Sequence, residues 1–166
     1  MDLEEGKQKF IQSWGTLGTA WGINRTMAQI HALLLVSTEP LSTEEIMETL
    51  QVSRGNVNMN IRALMDWGIV SKTHKIGERK EFFLADKDVW AVARQITRER
   101  RKKEIEPMLK VLDELKSVEV NDEESKAFRK TVEDIDDFAG KVDGIFDKFI
   151  KSDEHWFYKS VINLIK

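Results

Sequence analysis

The chain has 166 residues, 41% of them hydrophobic, which allows one domain of ordinary size or a small domain with a helical extension. It contains no cysteine, which excludes disulfides and thiolate metal sites and agrees with a reducing cytoplasm. The N-terminus lacks the apolar stretch of a signal peptide, and the longest apolar run, residues 32–36, is too short to cross a bilayer. We therefore expect a cytoplasmic protein with no membrane partner.

The net charge of −3 is unevenly distributed along the chain. Residues 50–103 carry 13 basic and 6 acidic side chains, a net charge of +7, whereas residues 1–49 and 104–166 carry −4 and −6. A basic segment between acidic ends is typical of a nucleic-acid binder. A chance fluctuation of surface charge is the alternative, so charge alone does not decide the function.

Two helices are predicted in the first 36 residues. Apolar residues at helical spacing indicate a helix over residues 3–17, and the glycine-rich stretch GTLGTAWG at residues 15–22 is expected to weaken or break it. Asn24 can cap a second helix that ends near Ser37. The residues expected on its inward side are Met27, Ile30, His31 and Leu34.

Residues 42–67 have the pattern of a helix-turn-helix. Ser42 and Glu45 form a capping box at the start of one short helix, and Ser53 caps the next after a link of two residues. The second helix runs to about Trp67, followed by Gly68 as its C′ residue. The residues expected to face inward are Ile46, Met47 and Leu50 in the first helix and Val57, Ile61 and Leu64 in the second.

A β-hairpin is predicted next. Residues 69–73 and 81–84 have β-type composition and are joined by the glycine-containing turn HKIGERK. Ile69, Phe82 and Leu84 are expected to anchor the hairpin to the helices. The predicted fold class is therefore mainly α with a small β-hairpin wing, which is a winged helix-turn-helix.

The rest of the chain is predicted to be helical. Asp86 caps a long helix that Pro107 kinks or breaks, and Asn121 caps the last long segment. Residues 155–166 predict a short terminal helix. The last long segment carries an apolar seam at steps of three and four: Phe128, Val132, Ile135, Phe138, Val142, Ile145 and Phe149. This seam packs either within the subunit or against a second subunit.

Candidate DNA contacts lie on the second helix of the helix-turn-helix and on the hairpin. Near the start of this helix, six residues lie outside the inward stripe: Ser53, Arg54, Asn56, Asn58, Met59 and Arg62. Asparagine suits adenine, and arginine suits guanine or phosphate. Asn56, Asn58 and Asn60 are poor helix formers, which an external partner would explain. The hairpin contributes Lys72, His74, Lys75, Arg79 and Lys80. An ordinary polar helix face and a solvated hairpin tip are the alternatives.

The sequence of this region resembles the MarR superfamily, and most of all its GbsR-type branch. The similarity covers roughly residues 10–115 and rests on three motifs: SRGNVNMNIR at residues 53–62, WGIV at 67–70 and GERK at 77–80. The resemblance implies a homodimeric transcriptional repressor that binds a pseudo-palindromic operator in double-stranded DNA. It also implies that the recognition helix and the wing arginine, Arg79, contact the DNA.

We therefore predict three regions. Residues 1–24 form an N-terminal packing or dimerisation helix, and residues 25–85 form the DNA-binding domain. Within that domain the recognition helix spans residues 53–67 and the wing residues 69–84. Residues 86–166 form a helical dimerisation region. The alternative from another functional class is a winged helix that contacts proteins and does not bind DNA.

Neither a catalytic activity nor a cofactor is predicted. His31, His74 and His155 are far apart and have no partner at metal-ligand spacing, and no nucleotide-binding or metalloprotease motif is present. Some GbsR-type relatives sense choline or betaine, which suggests a quaternary amine effector held by aromatic rings. The alternative, which we favour, is that the five tryptophans fill a core or a dimer interface.

Overall fold

A computed structural model describes residues 1–152, so the terminal helix predicted over residues 155–166, with His155 and Trp156, lies outside the described residues. The described part is mainly helical with a small antiparallel sheet, which confirms the predicted fold class. Its helices are α1 (Leu3–Ala20), α2 (Arg25–Val36), α3 (Thr43–Leu50), α4 (Arg54–Asp66), α5 (Val89–Arg100), α6 (Glu106–Leu115) and α7 (Glu123–Lys151). Its strands are β1 (Leu41–Ser42), β2 (Val70–His74) and β3 (Glu81–Ala85).

The chain forms two compact units, Met1–Val92 and Ala93–Lys166. The first unit holds α1 to α4 and the sheet, and the second holds α6 and α7. The boundary falls inside α5. The separation of residues 1–24 from a DNA-binding domain at residues 25–85 stays a prediction.

The core of the first unit is built around α2. Ile30 and Leu34 of α2 are almost completely buried, as are Ile46 of α3 and Val57 and Leu64 of α4. These residues lie on the inward faces that helical periodicity predicts, which confirms that part of the sequence interpretation. Burial of such side chains contributes about 1.5–3 kcal/mol each and orients α3 and α4.

The predicted break of α1 at its glycines is wrong. The helix continues through Gly15 and Gly18 to Ala20, and both glycines are buried against α2. A Cβ atom added at Gly18 would lie 2.6 Å from the Cβ of Ala28, closer than two carbon atoms can approach. The glycines therefore allow close packing of α1 on α2, which outweighs their low helix propensity. The chain turns only at Gly22, whose φ is +75°.

Three of the five predicted helix caps are confirmed. The side chains of Asn24, Ser42 and Ser53 accept hydrogen bonds from backbone N–H groups of α2, α3 and α4. The prediction that Asp86 caps α5 is wrong. The Asp88 carboxylate accepts hydrogen bonds from two N–H groups in the first turn of α5, at 2.9 and 3.0 Å. The prediction of Asn121 is also wrong.

Asp122 caps α7, and Asp122 and Ser125 form a capping box. At both sites two residues with capping side chains lie within three positions of each other. Helical periodicity does not define a helix boundary to one or two residues, so the sequence alone could not choose between them.

The sheet has three strands in the order β1-β3-β2, with β3 antiparallel to both neighbours. The hairpin of β2 and β3 confirms the predicted wing, whereas β1 has two residues and is too short for a sequence signal. Leu84 does not anchor the wing, because it is 36% exposed. Ala85 is buried in its place, together with Phe83, which lies beside Leu41 of β1. The predicted anchors Ile69 and Phe82 are buried.

In the second unit, the chain changes from α-helical to π-helical at Arg101–Ile105 before α6 begins at Glu106. Pro107 lies in the first turn of α6, the part of a helix where proline is best tolerated. Arg101 makes two hydrogen bonds to the Asp143 carboxylate of α7, at 2.6 and 2.9 Å. This bidentate pair ties the π-helical segment to α7.

The apolar seam of α7 divides into a buried row and an exposed row. Val132 and Ala139 are buried against Leu112 of α6. The exposed row consists of Phe128, Ile135, Phe138 and Ile145, with exposed fractions of 41%, 45%, 69% and 65%. The described part of the second unit therefore covers only one side of the seam. Among residues 1–152, no helix is both long and apolar enough to cross a membrane.

Candidate nucleic-acid interface

The α3–α4 turn sets the direction of the candidate recognition helix. Gln51 adopts a left-handed conformation with φ of 53°, and its N–H group donates to the carbonyl of Met47 at the end of α3. Ser53 then starts α4, because its Oγ atom accepts the N–H of Asn56 at 3.3 Å. These contacts produce the tight link of a helix-turn-helix and expose the first turn of α4.

Along α4 the polar face lies opposite the buried stripe. Val57, Ile61 and Leu64 are at most 3% exposed. The predicted contact residues that are exposed on this helix and at its cap are Ser53, Arg54, Asn58, Met59 and Arg62. Since the buried stripe holds the helix in one rotational setting, the exposed residues form one continuous surface.

Asn60 does not face outward, so the expectation of an external partner for it is wrong. Its side chain is 3% exposed, and its Nδ2 atom donates to the carbonyl and to the Oδ1 atom of Asn56 at 2.8 and 2.7 Å. This internal pair leaves Asn56 half-buried. Asn58 is the exposed asparagine of the three. A buried asparagine satisfied within its own helix could not be recognised from spacing alone.

Arg54 is engaged by a residue that sequence reasoning missed. Its Nη2 atom lies 2.7 Å from Oε1 of Glu44 in the first turn of α3, and this hydrogen bond lowers the pKa of the Glu44 carboxyl. The two residues are ten positions apart in the chain and meet only because the helix-turn-helix folds α3 against α4. Neither periodicity nor a motif indicates such a pair.

The wing presents a second cluster of cations. Lys72 pairs with Glu81 across β2 and β3 at 2.7 Å, and Lys75 lies with Nζ 4.4 Å from the centroid of the Phe82 ring. The turn closes with a hydrogen bond from the Glu78 N–H to the Lys75 carbonyl and a φ of +83° at Gly77. Ile76 at the tip is completely exposed, although no sequence pattern assigns it a role.

The remaining wing cations are more open to a partner. His74, Arg79 and Lys80 are exposed, and within residues 1–152 Arg79 and Lys80 form no ion pair. On the helix side, Arg62 is also without an ion pair among these described residues. An open groove of about 390 Å³ lies between α4 and the wing strands, lined by Asn58, Ile61, Arg62, Met65, Lys72, Glu81 and Phe83. Of the predicted contact residues, this groove brings Asn58 and Arg62 of the helix together with Lys72 of the wing.

Lys87 connects the end of the wing to α2, a role that the sequence did not indicate. Its Nζ atom donates to the carbonyls of Leu34, Leu35 and Ser37 at 2.6, 2.6 and 2.8 Å. A cation at the C-terminus of a helix is favoured by the helix dipole and satisfies carbonyls left without intrahelical partners. The contact fixes the chain leaving β3 against the helix at the centre of the core.

His31 is a buried histidine of α2 and not a ligand residue. It is 2% exposed, and burial, assisted by the charge of Lys87, lowers its pKa from the ordinary 6.5 to about 4. Among residues 1–152, no group of three or more acidic, histidine or cysteine side chains could hold a metal ion.

Comparison with known proteins finds similarity to a family of regulators. A sequence model of the MarR family matches residues 21–80. The HTH-type transcriptional repressor GbsR of Bacillus subtilis (strain 168) is 28% identical over 86 residues, which are 52% of this chain and 47% of that protein. The chain thus spans about half the length of GbsR.

Two further similarities extend beyond the matched region. YvaV of the same strain has an inferred role as an HTH-type transcriptional regulator. It is 20% identical over 145 residues, which are 81% of this chain and 82% of YvaV. The crystal structure of a transcriptional regulator superposes with a TM-score of 0.66 at 18% identity, over 87% of this chain and 95% of that one. The structural likeness shows the fold, and the family and relatives are regulators of transcription, not enzymes.

Proposed function

We propose that this chain, a MarR-type winged-helix regulator, is a cytoplasmic homodimeric repressor that binds a pseudo-palindromic operator in double-stranded DNA. The observation that carries the proposal is the continuous polar surface of Arg54, Asn58 and Arg62 on α4, beside a wing whose Arg79 and Lys80 have no ion pair within the described residues. A transcriptional repressor is also among its relatives.

The exposed face of α4 has the side chains that base recognition requires. An α-helix fits the major groove, where its N-terminal residues contact base edges. Asn58 supplies a carboxamide for adenine, and Arg54 and Arg62 supply guanidinium groups for guanine or phosphate. Ser53 and Met59 border them, and Asn56 is available only in part because Asn60 donates to its side-chain oxygen. The face supports both sequence choice and backbone binding.

The wing supplies contacts of a different kind. Lysine and arginine contacts to phosphate provide most of the affinity and little sequence discrimination. The exposed Arg79 is expected to enter a minor groove, whose negative potential attracts guanidinium groups. Lys75 and Lys80 flank the same turn. His74 is the last residue of β2, and Lys72 in the middle of β2 is paired with Glu81.

The exposed row on α7 supports a homodimer. Phe128, Ile135, Phe138 and Ile145 are separated by seven, three and seven residues, which is the spacing of a helix packed against a second helix. An isologous contact through this row buries the same residues of both copies. The two recognition helices of a dimeric helix-turn-helix protein bind half-sites about 34 Å apart.

Binding to DNA is tested by fluorescence anisotropy on a duplex selected from a random pool and on a scrambled duplex. Arg79→Ala is expected to weaken binding to both duplexes by a similar factor, whereas Asn58→Ala reduces the preference between them by roughly 5–100-fold. Lys126→Ala, an exposed cation of α7, is the control. Unchanged binding by both interface variants would contradict the assignment.

A salt titration separates DNA binding from the rival function of a protein-contact module. Phosphate contacts make log Kd rise with log salt concentration, with a slope near 0.9 for each contact. A module that contacts only proteins gives no saturable DNA binding at low salt. The exposed arginines of α4 favour DNA, because a helix that docks on a protein would be apolar or acidic on this face.

A quaternary amine effector is the remaining part of the proposal. The groove between α1, α2 and α3 has a volume of about 420 Å³ and borders Ile11, Gln12, Gln29 and Leu33. Its described lining contains no aromatic side chain, so cation–π attraction does not recommend it for this class of ligand. Choline that raises the melting temperature would support an effector, since a ligand specific for the native state stabilises it.

A further inference from the structure

We propose that Glu44 is a specificity-determining residue. Its carboxylate competes with DNA phosphate for Arg54 and thereby weakens binding to nonspecific DNA sequences. The inference rests on the proposed DNA binding and concerns how that surface discriminates. It assigns a role to a side chain outside the recognition helix and outside the wing.

The geometry joins the first turn of α3 to the first turn of α4. The Arg54 Nη2 and Glu44 Oε1 atoms are 2.7 Å apart, with side-chain exposures of 57% and 39%. The neighbouring Glu45 serves the cap of α3, where its Oε2 atom accepts the N–H of Ser42 at 2.7 Å. Because Glu45 already completes the capping box, the cap does not require Glu44, and the ion pair with Arg54 is its defining contact.

The surroundings of the pair are basic. Lys80 of the wing acts electrostatically on Glu44 together with Arg54. Glu44 is therefore an anion within the cationic surface that would face DNA. Arg62 has no corresponding carboxylate among the described residues, so the competition is specific to Arg54.

An exposed ion pair is weak and screened by salt, so DNA can replace it. A phosphate offers Arg54 the same kind of contact that Glu44 already provides, and it is repelled by the released carboxylate. A guanine edge instead offers two hydrogen bonds in fixed geometry and carries no net charge. Glu44 therefore disfavours phosphate contact by Arg54 more than base contact, which increases the preference for the operator.

The test compares native protein with Glu44→Gln, which keeps the shape of the side chain and removes its charge. Glu48→Gln is the matched control, because Glu48 is an exposed carboxylate on the same helix. Dissociation constants are measured on the selected and on the scrambled duplex, and circular dichroism verifies the fold. The same substitution is repeated in an Arg54→Gln background to show whether its effect requires Arg54.

Glu44→Gln is expected to tighten binding to the scrambled duplex roughly 3–10-fold and to the selected duplex less than about 2-fold. The salt slope on the scrambled duplex steepens by about 0.9, the value for one more phosphate contact. In the Arg54→Gln background the change in preference disappears. Glu48→Gln affects both duplexes equally.

The inference is overturned if Glu44→Gln behaves like Glu48→Gln, or if its effect on preference persists without Arg54. Those results leave the proposed function intact, since the native protein still selects DNA. Native protein that binds no duplex at low salt refutes the proposed function itself, and the inference with it.

Discussion

The close packing of α1 on α2 predicts opposite effects for the same substitution at two glycines of one helix. Gly18→Ala places a methyl group 2.6 Å from the Cβ of Ala28, whereas Gly6→Ala meets nothing within 4 Å. Ala28 has no flexible side chain that can move away, so α1 and α2 must separate by about 1 Å to restore a normal contact. At Gly6 the added methyl group only reduces the freedom of the unfolded chain.

The magnitudes follow from these distances. Gly6→Ala gains about 0.5–1 kcal/mol in the free energy of unfolding, because alanine is the better helix former. Gly18→Ala gains the same helix propensity but adds overpacking of about 1–3 kcal/mol, so we expect a net loss of roughly 1–2 kcal/mol. Gly15→Ala should fall between them, because the nearest atom at 2.6 Å is Cγ of Gln29, a side chain that can rotate.

Urea unfolding followed by tryptophan fluorescence provides the measurement, since Trp14 and Trp21 both lie at α1. Ala28→Gly in the Gly18→Ala protein is the rescue, because it removes the second methyl group of the clash. A favourable coupling energy between the two substitutions is expected from the double-mutant cycle. Equal stability of the Gly6 and Gly18 variants, or additive effects of Gly18→Ala and Ala28→Gly, would refute the close-packing explanation.

Two further predictions concern the core and the assembly. His31 titrates near 6.5 when unfolded and at about 4 when folded, so its contribution to stability is complete above pH 6.5 and is lost as the pH falls toward 4. Native protein should therefore lose roughly 3 kcal/mol more than His31→Leu between pH 7 and 4, and parallel stability curves would exclude this. Phe138→Ser should convert the dimer into monomers, as measured by light scattering, because it removes an exposed apolar side chain of the row. Lys130→Ser on the same helix should leave the dimer intact. A monomeric native protein would contradict the proposed assembly.

The fold class and much of the candidate interface could be predicted because they depend on local patterns. The period of Val57, Ile61 and Leu64 orients α4, and that orientation alone exposes Arg54, Asn58 and Arg62. The caps Asn24, Ser42 and Ser53 were also predictable from the local pattern. Where two capping residues lie close together, as at Asp86 and Asp88, the boundary depends on how the preceding strand ends, which the local sequence does not contain.

Contacts between distant parts of the chain were decided only by tertiary structure. Glu44 meets Arg54, Lys87 binds the carbonyl end of α2, and Gly18 meets Ala28, and each pair is separated by ten or more residues. Burial in β3 likewise depends on β1, whose Leu41 lies beside Phe83, so the sequence assigned Leu84 to the wrong environment. Periodicity along one element determines which face is apolar, because that face must leave water. What covers the face, and which polar groups meet across it, depends on how the elements pack.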